Sequence, residues 1–350
     1  MKAVTLVVPG SLATRTGGSI YDRRVAEGLR ARGWTVSIIE LDQFVHPLAP
    51  PLHSAPAQLA TIPDGSMVLV DGLAFSTMPE IVEHESWRLR FVPIIHMALS
   101  ATPGLTRGEA AWLSNLERRA LARAEHIVVT GAGTKTVVRV MIDRSDSQVT
   151  RIPPGVDHVL TNDEPRPNAS SLRLLCVANL TWGKGYDILL RSLATVSDAD
   201  WALTGVGSAE RDPVYAERVH GMASELGLEP RITWTGELQT VETEWERADL
   251  FVLPTRGETY GMAVAEAIAH GVPVVSTRTG EIVSIVGDGG LIAEAGNADA
   301  FAAVLREAIG SPGVRRRLGQ GARVAASRLP SWNDAADAIE RVLNMVIARG

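Results

Sequence analysis

Two carboxylates, Glu258 and Glu266, stand eight residues apart in the segment PTRGETYGMAVAEAIAHGVPVVST (Pro254–Thr277), with Gly261 between them. Ala248–Pro254 is an apolar run of strand length stopped by proline, and Thr255–Gly257 is loop. From Gly261 onward, small and apolar residues favour a helix. Gly271 stands as its C-terminal cap, and Pro273 opens a strand at Val274–Ser276. The helical rise separates the two carboxylates by roughly 9–12 Å along the axis. The backbone N–H groups of Tyr260, Gly261 and Met262 fall between them, and a helix start approached through glycine is a phosphate site. One ligand could therefore set a phosphate at the helix start, one hydroxyl group at Glu258 and another at Glu266. A nucleotide-sugar, with hexose, diphosphate and ribose in a row, has that layout. Taken singly, each Glu also has a plain reading: Glu258 as a surface charge favoured by the helix dipole, Glu266 as a partly exposed helix residue.

The unit resembles the Glu-x7-Glu motif of the retaining glycosyltransferases of family 4, which have the GT-B fold. The family pattern E-P-F-G-L-V-x-x-E-A stands here as Glu258-Thr259-Tyr260-Gly261-Met262-Ala263-Val264-Ala265-Glu266-Ala267. The resemblance implies that Glu258 contacts the transferred sugar and Glu266 holds the ribose, with Thr259, Tyr260, Gly261 and Met262 along the donor. Further motifs follow it through most of the chain. Gly17-Gly18 matches the loop that lets the backbone approach donor diphosphate and acceptor. His96 matches a histidine near the reacting sugar, and Arg151–Asp157 resembles I-P-N-G-V-D. Lys184 in Gly183-Lys184-Gly185 matches the K-G before a helix, where the ammonium neutralises donor phosphate. A lysine there adds a point charge to a nest of N–H groups, although a surface lysine is the plain alternative. Gly205 and Gly207 stand in a G-x-G-S loop, and Gly236, Glu237 and Leu238 stand where the family holds the nucleobase, largely by backbone.

Departures from the pattern are specific. Asn179 occupies the place of a common Arg, the better diphosphate clamp, and Arg256 or Arg15 could supply the missing charge. Thr279-Gly280-Glu281-Ile282 replaces Gly-Gly-Ile-Pro-Glu, with Glu281 for the second Gly and Ser284 for the Glu, which bears on the sugar pocket.

The elements that must position these residues are those of parallel α/β units. Val4–Val8 is a first strand, followed by the SLATRTGG loop, a helix from about Ser19 to Arg32 capped by Gly33, and a strand at Trp34–Leu41. Gly17-Gly18 is not a G-x-G-x-x-G, so a dinucleotide site is weakly supported. Tyr21, Asp22 and Arg23, with Arg24, lie on the first helical turns and could face an acceptor. Phe44–Pro63 reads as a cover for the sheet edge, and Met67–Val70 as a strand ending at Asp71-Gly72. His96 ends the strand RFVPIIH, and strand ends face the ligand crevice in such sheets. Thr106–Glu125 is a helix with Trp112, Leu113, Leu116 and Leu121 on an apolar stripe. Glu109 and Glu117 dilute its basic residues and favour packing on the sheet over a membrane surface. Strand His126–Thr130 and a helix near Lys135–Ile142 complete the first half. Asp198-Ala199-Asp200 is formally D-x-D but reads as a turn before the strand Trp201–Thr204. Helices at Asn297–Ile309, Gly313–Arg328 and Ser331–Ala348 end the chain, the last capped by Ser331.

Length and composition bound the rest. At 350 residues two domains are expected. Net charge is −6, which argues against a nucleic-acid partner. The single Cys176, in LRLLCVA, excludes an internal disulfide or a cysteine metal cluster. No His pair has ligand spacing with a third group, so no metal is expected. The first strand is too short for a signal peptide and no run reaches transmembrane length, which gives a cytoplasmic expectation, with a peripheral place at the inner membrane face left open.

The expected architecture is α/β and GT-B: two Rossmann-like domains across a cleft, residues 1–160 on the acceptor side and 171–328 binding the nucleotide-sugar. A linker at 161–170 joins them, and a final helix at 329–350 crosses back to the first. The expected activity is metal-independent, retaining transfer of a hexose from a nucleotide diphosphate-sugar to a small-molecule or lipid hydroxyl acceptor. Catalytic roles fall on His96, Lys184 and Glu258, with no cofactor beyond the co-substrate. Two other readings share the fold, a non-catalytic nucleotide-sugar-binding homologue or partner subunit and a nucleotide-sugar epimerase. An NAD-dependent dehydrogenase is disfavoured by the missing fingerprint. Sugar, base, acceptor identity and oligomeric state are not encoded legibly.

Overall fold

The computed structural model describes residues 2–41, 55–102, 104–142, 148–157 and 171–349. The linker at 161–170 and most of the Phe44–Pro63 stretch lie outside them. The chain divides into two compact units, Met1–Gly155 with Pro330–Gly350, and Val156–Leu329.

The first unit runs β1 (Ala3–Pro9), α1 (Gly17–Ala31), β2 (Thr35–Leu41), α2 (Ala55–Leu59), β3 (Met67–Asp71), α3 (Gly72–Thr77), α4 (Pro79–Glu85), β4 (Arg90–Ile95), α5 (Arg107–Leu121), β5 (Ile127–Val129), α6 (Ala132–Ile142) and β6 (Val149–Arg151). The sheet order is β2-β1-β3-β4-β5-β6, all parallel. Strand β3, MVLVD, is buried at every position, as a central parallel strand covered on both faces must be. The chain passes from β1 to β2 on one side and then returns past β1 to β3. The β1/β3 boundary is therefore a topological switch point, where the strand ends leave a crevice. Thr16 caps α1, accepting from the Ser19 N–H at 3.2 Å. Thr106 and Glu109 form a capping box that starts α5.

The apolar stripe of α5 differs from the expectation. Leu113, Glu117, Ala120 and Leu121 are buried, while Trp112 is half exposed, because the face turned to the protein follows Leu113 and its neighbours four and seven residues on. The chain's last helix, Trp332–Arg349, packs on α1. Ala336 crosses at Gly28, where a Cβ would meet the Ala336 methyl at 2.5 Å. Ser331 caps that helix in a box with Asp334.

The second unit runs β7 (Leu172–Val177), α7 (Tyr186–Ala194), β8 (Trp201–Val206), α8 (Pro213–Glu225), β9 (Ile232–Gly236), α9 (Glu242–Arg247), β10 (Leu250–Leu253), α10 (Met262–Ala269), β11 (Val274–Thr277), α11 (Ile282–Val286), β12 (Gly290–Ala293), α12 (Ala298–Gly310) and α13 (Pro312–Ala326). The order β12-β11-β10-β7-β8-β9 is again all parallel, with its switch point between β7 and β10. Cys176 is fully buried in β7, and burial pushes its thiol up to about 12, which fits a core residue. Asp198 and Asp200 precede β8 at its N-terminal end, away from the strand ends that form the crevice.

Candidate active-site residues

In the second unit, the loops after β7 and β10 are joined across the switch point. The Arg256 N–H donates to the Gly183 carbonyl at 2.7 Å, and the Thr255 hydroxyl to the same oxygen at 3.1 Å. Gly185 has φ +75° and lies against Pro254, whose carbonyl oxygen a Cβ would meet at 2.1 Å, so the site accepts only glycine. This seam brings the Lys184 Nζ to the Glu258 Oε1 at 2.5 Å, although 74 residues separate them in the chain. Both side chains are partly buried, at the entry to α10. Gly261, with φ +105°, precedes the helix, whose first N–H groups have no partner inside it. The helix ends at Ala269, and Gly271 follows with φ +65°, as its left-handed cap position requires. Tyr260 is buried; Thr259, Met262 and Glu266 are partly exposed around the helix start.

The glycines of the neighbouring loops are there for close approach. A Cβ on Gly207 would meet the Ala178 carbonyl oxygen at 2.1 Å, and one on Gly280 the Glu258 carbonyl oxygen at 2.3 Å. Gly205 lies under the Trp234 ring. Gly236 turns with φ +69° at the end of β9, leading into exposed Glu237 and partly buried Leu238. Asn179, standing for the expected Arg, accepts the Ser208 N–H on its Oδ1 at 2.9 Å and so ties the β7 and β8 loops together.

Arg256 is placed beside the site but is not an isolated cation. Its guanidinium grips Asp187 at 2.8 and 2.7 Å, bonds the Trp182 carbonyl at 2.8 Å and stacks 4.6 Å from the Trp182 ring centre. Burial acts to raise the Asp187 pKa, but Arg256 and the Tyr215 hydroxyl outweigh it and hold the carboxyl below its usual range. A bidentate pair of this kind fixes a loop first, and any role toward a ligand is secondary to that. Asp187 and Trp182 were not singled out from the sequence.

In the first unit, His96 at the end of β4 meets Asp22 of α1 and Asp71 at the end of β3. The ring Nε2 lies 3.2 Å from the Asp22 Oδ1 and 3.4 Å from the Asp71 Oδ2. Asp71 also caps α3, accepting the Leu73 N–H at 2.7 Å. Gly18 rides over the ring, and a Cβ there would be 3.1 Å from the His96 Cδ2; Gly17 is exposed beside it. Burial pushes the Asp22 carboxyl up, to about 7 even against the pull of His96. For His96 burial acts downward, but the two carboxylates overcome it and raise the ring to about 10. Asp71 ends below its usual value because His96 and the Leu73 N–H outweigh its burial.

Two acceptor expectations change here. Tyr21 is fully buried and donates its hydroxyl to the Ile152 carbonyl at 3.0 Å. It is a core residue, since at its place on α1 the helix faces the sheet. Asp22 is buried too and faces His96. Arg23 reaches the Leu12 carbonyl at 3.4 Å. Asp71 was missed as a site residue, yet it carries the signal that marked His96, a polar residue ending a buried parallel strand.

Asp22, Asp71 and His96 are also a group that could hold a cation, their ligand atoms lying within 4.8 Å of one another. The sequence expectation of no metal rested on spacing along the chain, and these groups are brought together only by the fold. Among the described residues no helix is long and apolar enough to cross a membrane.

The comparisons with known proteins agree with this architecture. Residues 171–311 match the family model described as "Glycosyl transferases group 1". A D-inositol 3-phosphate glycosyltransferase of Xylanimonas cellulosilytica is 29% identical over 207 residues, 54% of this chain and 49% of the relative. One of Thermomonospora curvata is 29% identical over 286 residues, 72% of this chain and 65% of the relative. The chain thus spans about half to two thirds of the length of these curated relatives. Among solved structures, sucrose-phosphate synthase from Thermosynechococcus elongatus superposes with a TM-score of 0.80 at 19% identity, covering 100% of both chains. Anabaena HepE in complex with UDP-glucose gives 0.78 at 17% identity, covering 98% of this chain and 99% of that one. The protein therefore has the GT-B fold, with a group 1 glycosyl transferase domain over residues 171–311.

Proposed function

We propose that this protein is a retaining, metal-independent glycosyltransferase that moves a hexose from a nucleoside diphosphate-sugar to a hydroxyl acceptor. The observation that carries the reading is the Lys184–Glu258 pair at the start of α10, over the β7/β10 switch point. A diphosphate set there would meet the ammonium and the first N–H groups of the helix. Together they place positive potential where charge develops on the leaving phosphate. Glu258 accepts from a sugar hydroxyl and Glu266, two turns on, from the ribose. Gly205, Gly207 and Gly236–Leu238 let the backbone approach the nucleotide. The HepE complex with UDP-glucose supports a nucleotide-sugar donor, and relatives named for D-inositol 3-phosphate make polyol phosphates the first acceptors to try. No side chain is assigned as a covalent nucleophile.

The test is a panel of uridine, guanosine, adenosine and thymidine diphosphate-sugars, read by thermal stabilisation and by nucleotide release with and without D-inositol 3-phosphate. One donor should stabilise the protein, by about 2.7 kcal/mol at a hundredfold excess over its Kd. Glu266→Ala should abolish the shift, and Glu258→Ala should keep binding but lose release. No stabilisation by any donor would overturn the reading. Stabilisation with release of an epimerised sugar and no transfer would replace it with the epimerase.

A further inference from the structure

We propose that Trp182 is a specificity-determining residue: the open face of its indole is the platform on which a ring-shaped polyol acceptor, a pyranose or a cyclitol, stacks beside the Lys184–Glu258 pair. That the stacked ring is the acceptor rests on the transferase reading; the platform rests on the loop alone. Trp182 opens a single 3-10 turn, Trp182–Lys184, in the loop after β7. Two pairs cross from this turn to the loop after β10. Lys184 meets Glu258 at 2.5 Å, and two residues earlier on each side of the seam Trp182 meets Arg256, whose guanidinium carbon lies 4.6 Å from the ring centre. The two pairs run in step, and α10 starts beyond Glu258, at Met262. A donor with its diphosphate at the helix start and its sugar at Glu258 therefore points its sugar end toward the Trp182–Arg256 pair. That is the end an acceptor must approach.

Single apolar side chains on a surface need no function, and Val214, Leu226, Val283 and Val324 of the second unit are of that kind. Trp182 differs in two respects. It is the one large aromatic among the exposed side chains of that unit's described residues, at 48% exposure, and it is held still. Its carbonyl accepts from the Arg256 Nη1 at 2.8 Å and from the Gly185 N–H at 3.3 Å. Arg256 is fixed in turn by its bidentate grip on Asp187, which also accepts the Tyr215 hydroxyl at 2.7 Å. The guanidinium covers one face of the indole, so the surface left in solvent includes the other face. A pyranose or cyclitol carries a face of C–H bonds with most of its hydroxyls turned to the rim. Such a face packs on an indole while the rim hydroxyls keep their partners, and an indole already braced loses little freedom on binding. An acyclic polyol has no such face.

The test uses the full-length protein with Trp182→Ala and Trp182→Phe. Neither change touches the Trp182 carbonyl or the Arg256–Asp187 pair, so both variants should keep the donor-induced thermal shift. Loss of that shift in Trp182→Ala would make the ring a donor contact or a prop of the loop, and would overturn the proposal. The fluorescence that the wild type shows beyond Trp182→Phe reports on this indole. D-inositol 3-phosphate or methyl α-D-glucopyranoside should change it, and glycerol 3-phosphate, the acyclic control, should not. An equal response to all three, or donor binding with no response to either ring compound, would overturn the platform.

In turnover with the ring acceptor, Trp182→Ala should raise the acceptor KM about tenfold and leave kcat within about threefold, and Trp182→Phe should restore most of the loss. A fall in kcat with KM unchanged would overturn the proposal. No shift with any donor, beside a ring polyol that still perturbs Trp182, would count against the transferase and leave the platform standing. Neither response would overturn both.

Discussion

Gly280→Ala isolates the contact that seats Glu258. Gly280 has φ +48°, and a Cβ there would stand 2.3 Å from the Glu258 carbonyl oxygen and 2.6 Å from that of Thr259. The left-handed backbone alone costs an alanine about 1–2 kcal/mol. The overlap is with backbone, which cannot swing aside, and forcing it adds roughly 1–3 kcal/mol. The total is about 2–5 kcal/mol, unless the 258–259 strip shifts and takes the Glu258 carboxylate with it. Gly296 provides the control: its φ is +75°, but nothing lies within 4 Å of its Cβ, so Gly296→Ala should lose only the backbone cost of about 1–2 kcal/mol. Both variants are read by urea unfolding and by donor-induced thermal shift. Gly280→Ala should lose more stability than Gly296→Ala and should also weaken donor binding, which the control keeps. Equal midpoints and equal donor shifts would refute the claim that the 279–281 loop supports Glu258.

Arg256→Ala removes the bidentate grip on Asp187 and the stack on Trp182, and should cost about 1–3 kcal/mol by denaturation. Donor affinity that falls no further than this loss of order explains would mark Arg256 as a loop tie, whereas a drop of a hundredfold or more in a folded variant would give it the diphosphate role. Glu117 is buried on α5, accepting from the Leu99 N–H at 3.1 Å and the Ser76 hydroxyl at 3.2 Å, and burial raises its carboxyl to about 7. A raised carboxyl favours the folded state when protonated, so its contribution is complete below about pH 4.5 and is lost as pH climbs through 7. Unfolding free energy should fall across that window, and Glu117→Gln should flatten the slope; an unchanged slope would show that Glu117 ionises freely.

The local chemistry was readable because it is local. Alternating glycine, apolar strand and helix starts identified the parallel α/β units, since each strand end and helix cap depends on neighbours a few residues away. Gly261 and Gly271 could be placed as entry and cap of α10 because only glycine tolerates their backbone. The Glu258–Glu266 spacing followed from helix geometry in the same way.

What the chain order hid are the pairings made at the switch points. Lys184 and Glu258 meet because β7 and β10, far apart in sequence, are neighbours in the sheet. Asp22, Asp71 and His96 meet because the ends of β3 and β4 and the start of α1 share one edge of the other sheet. Tyr21 was expected to face an acceptor, but its hydroxyl donates to the Ile152 carbonyl inside the core, and Arg256, offered as a charge for the diphosphate, is paired with Asp187. Residue type and spacing determined which groups this protein owns and which turns carry them. Strand order alone decided which of them touch, and hence which charges are already spoken for, because burial and electrostatic coupling depend on distance in space and are blind to distance along the chain.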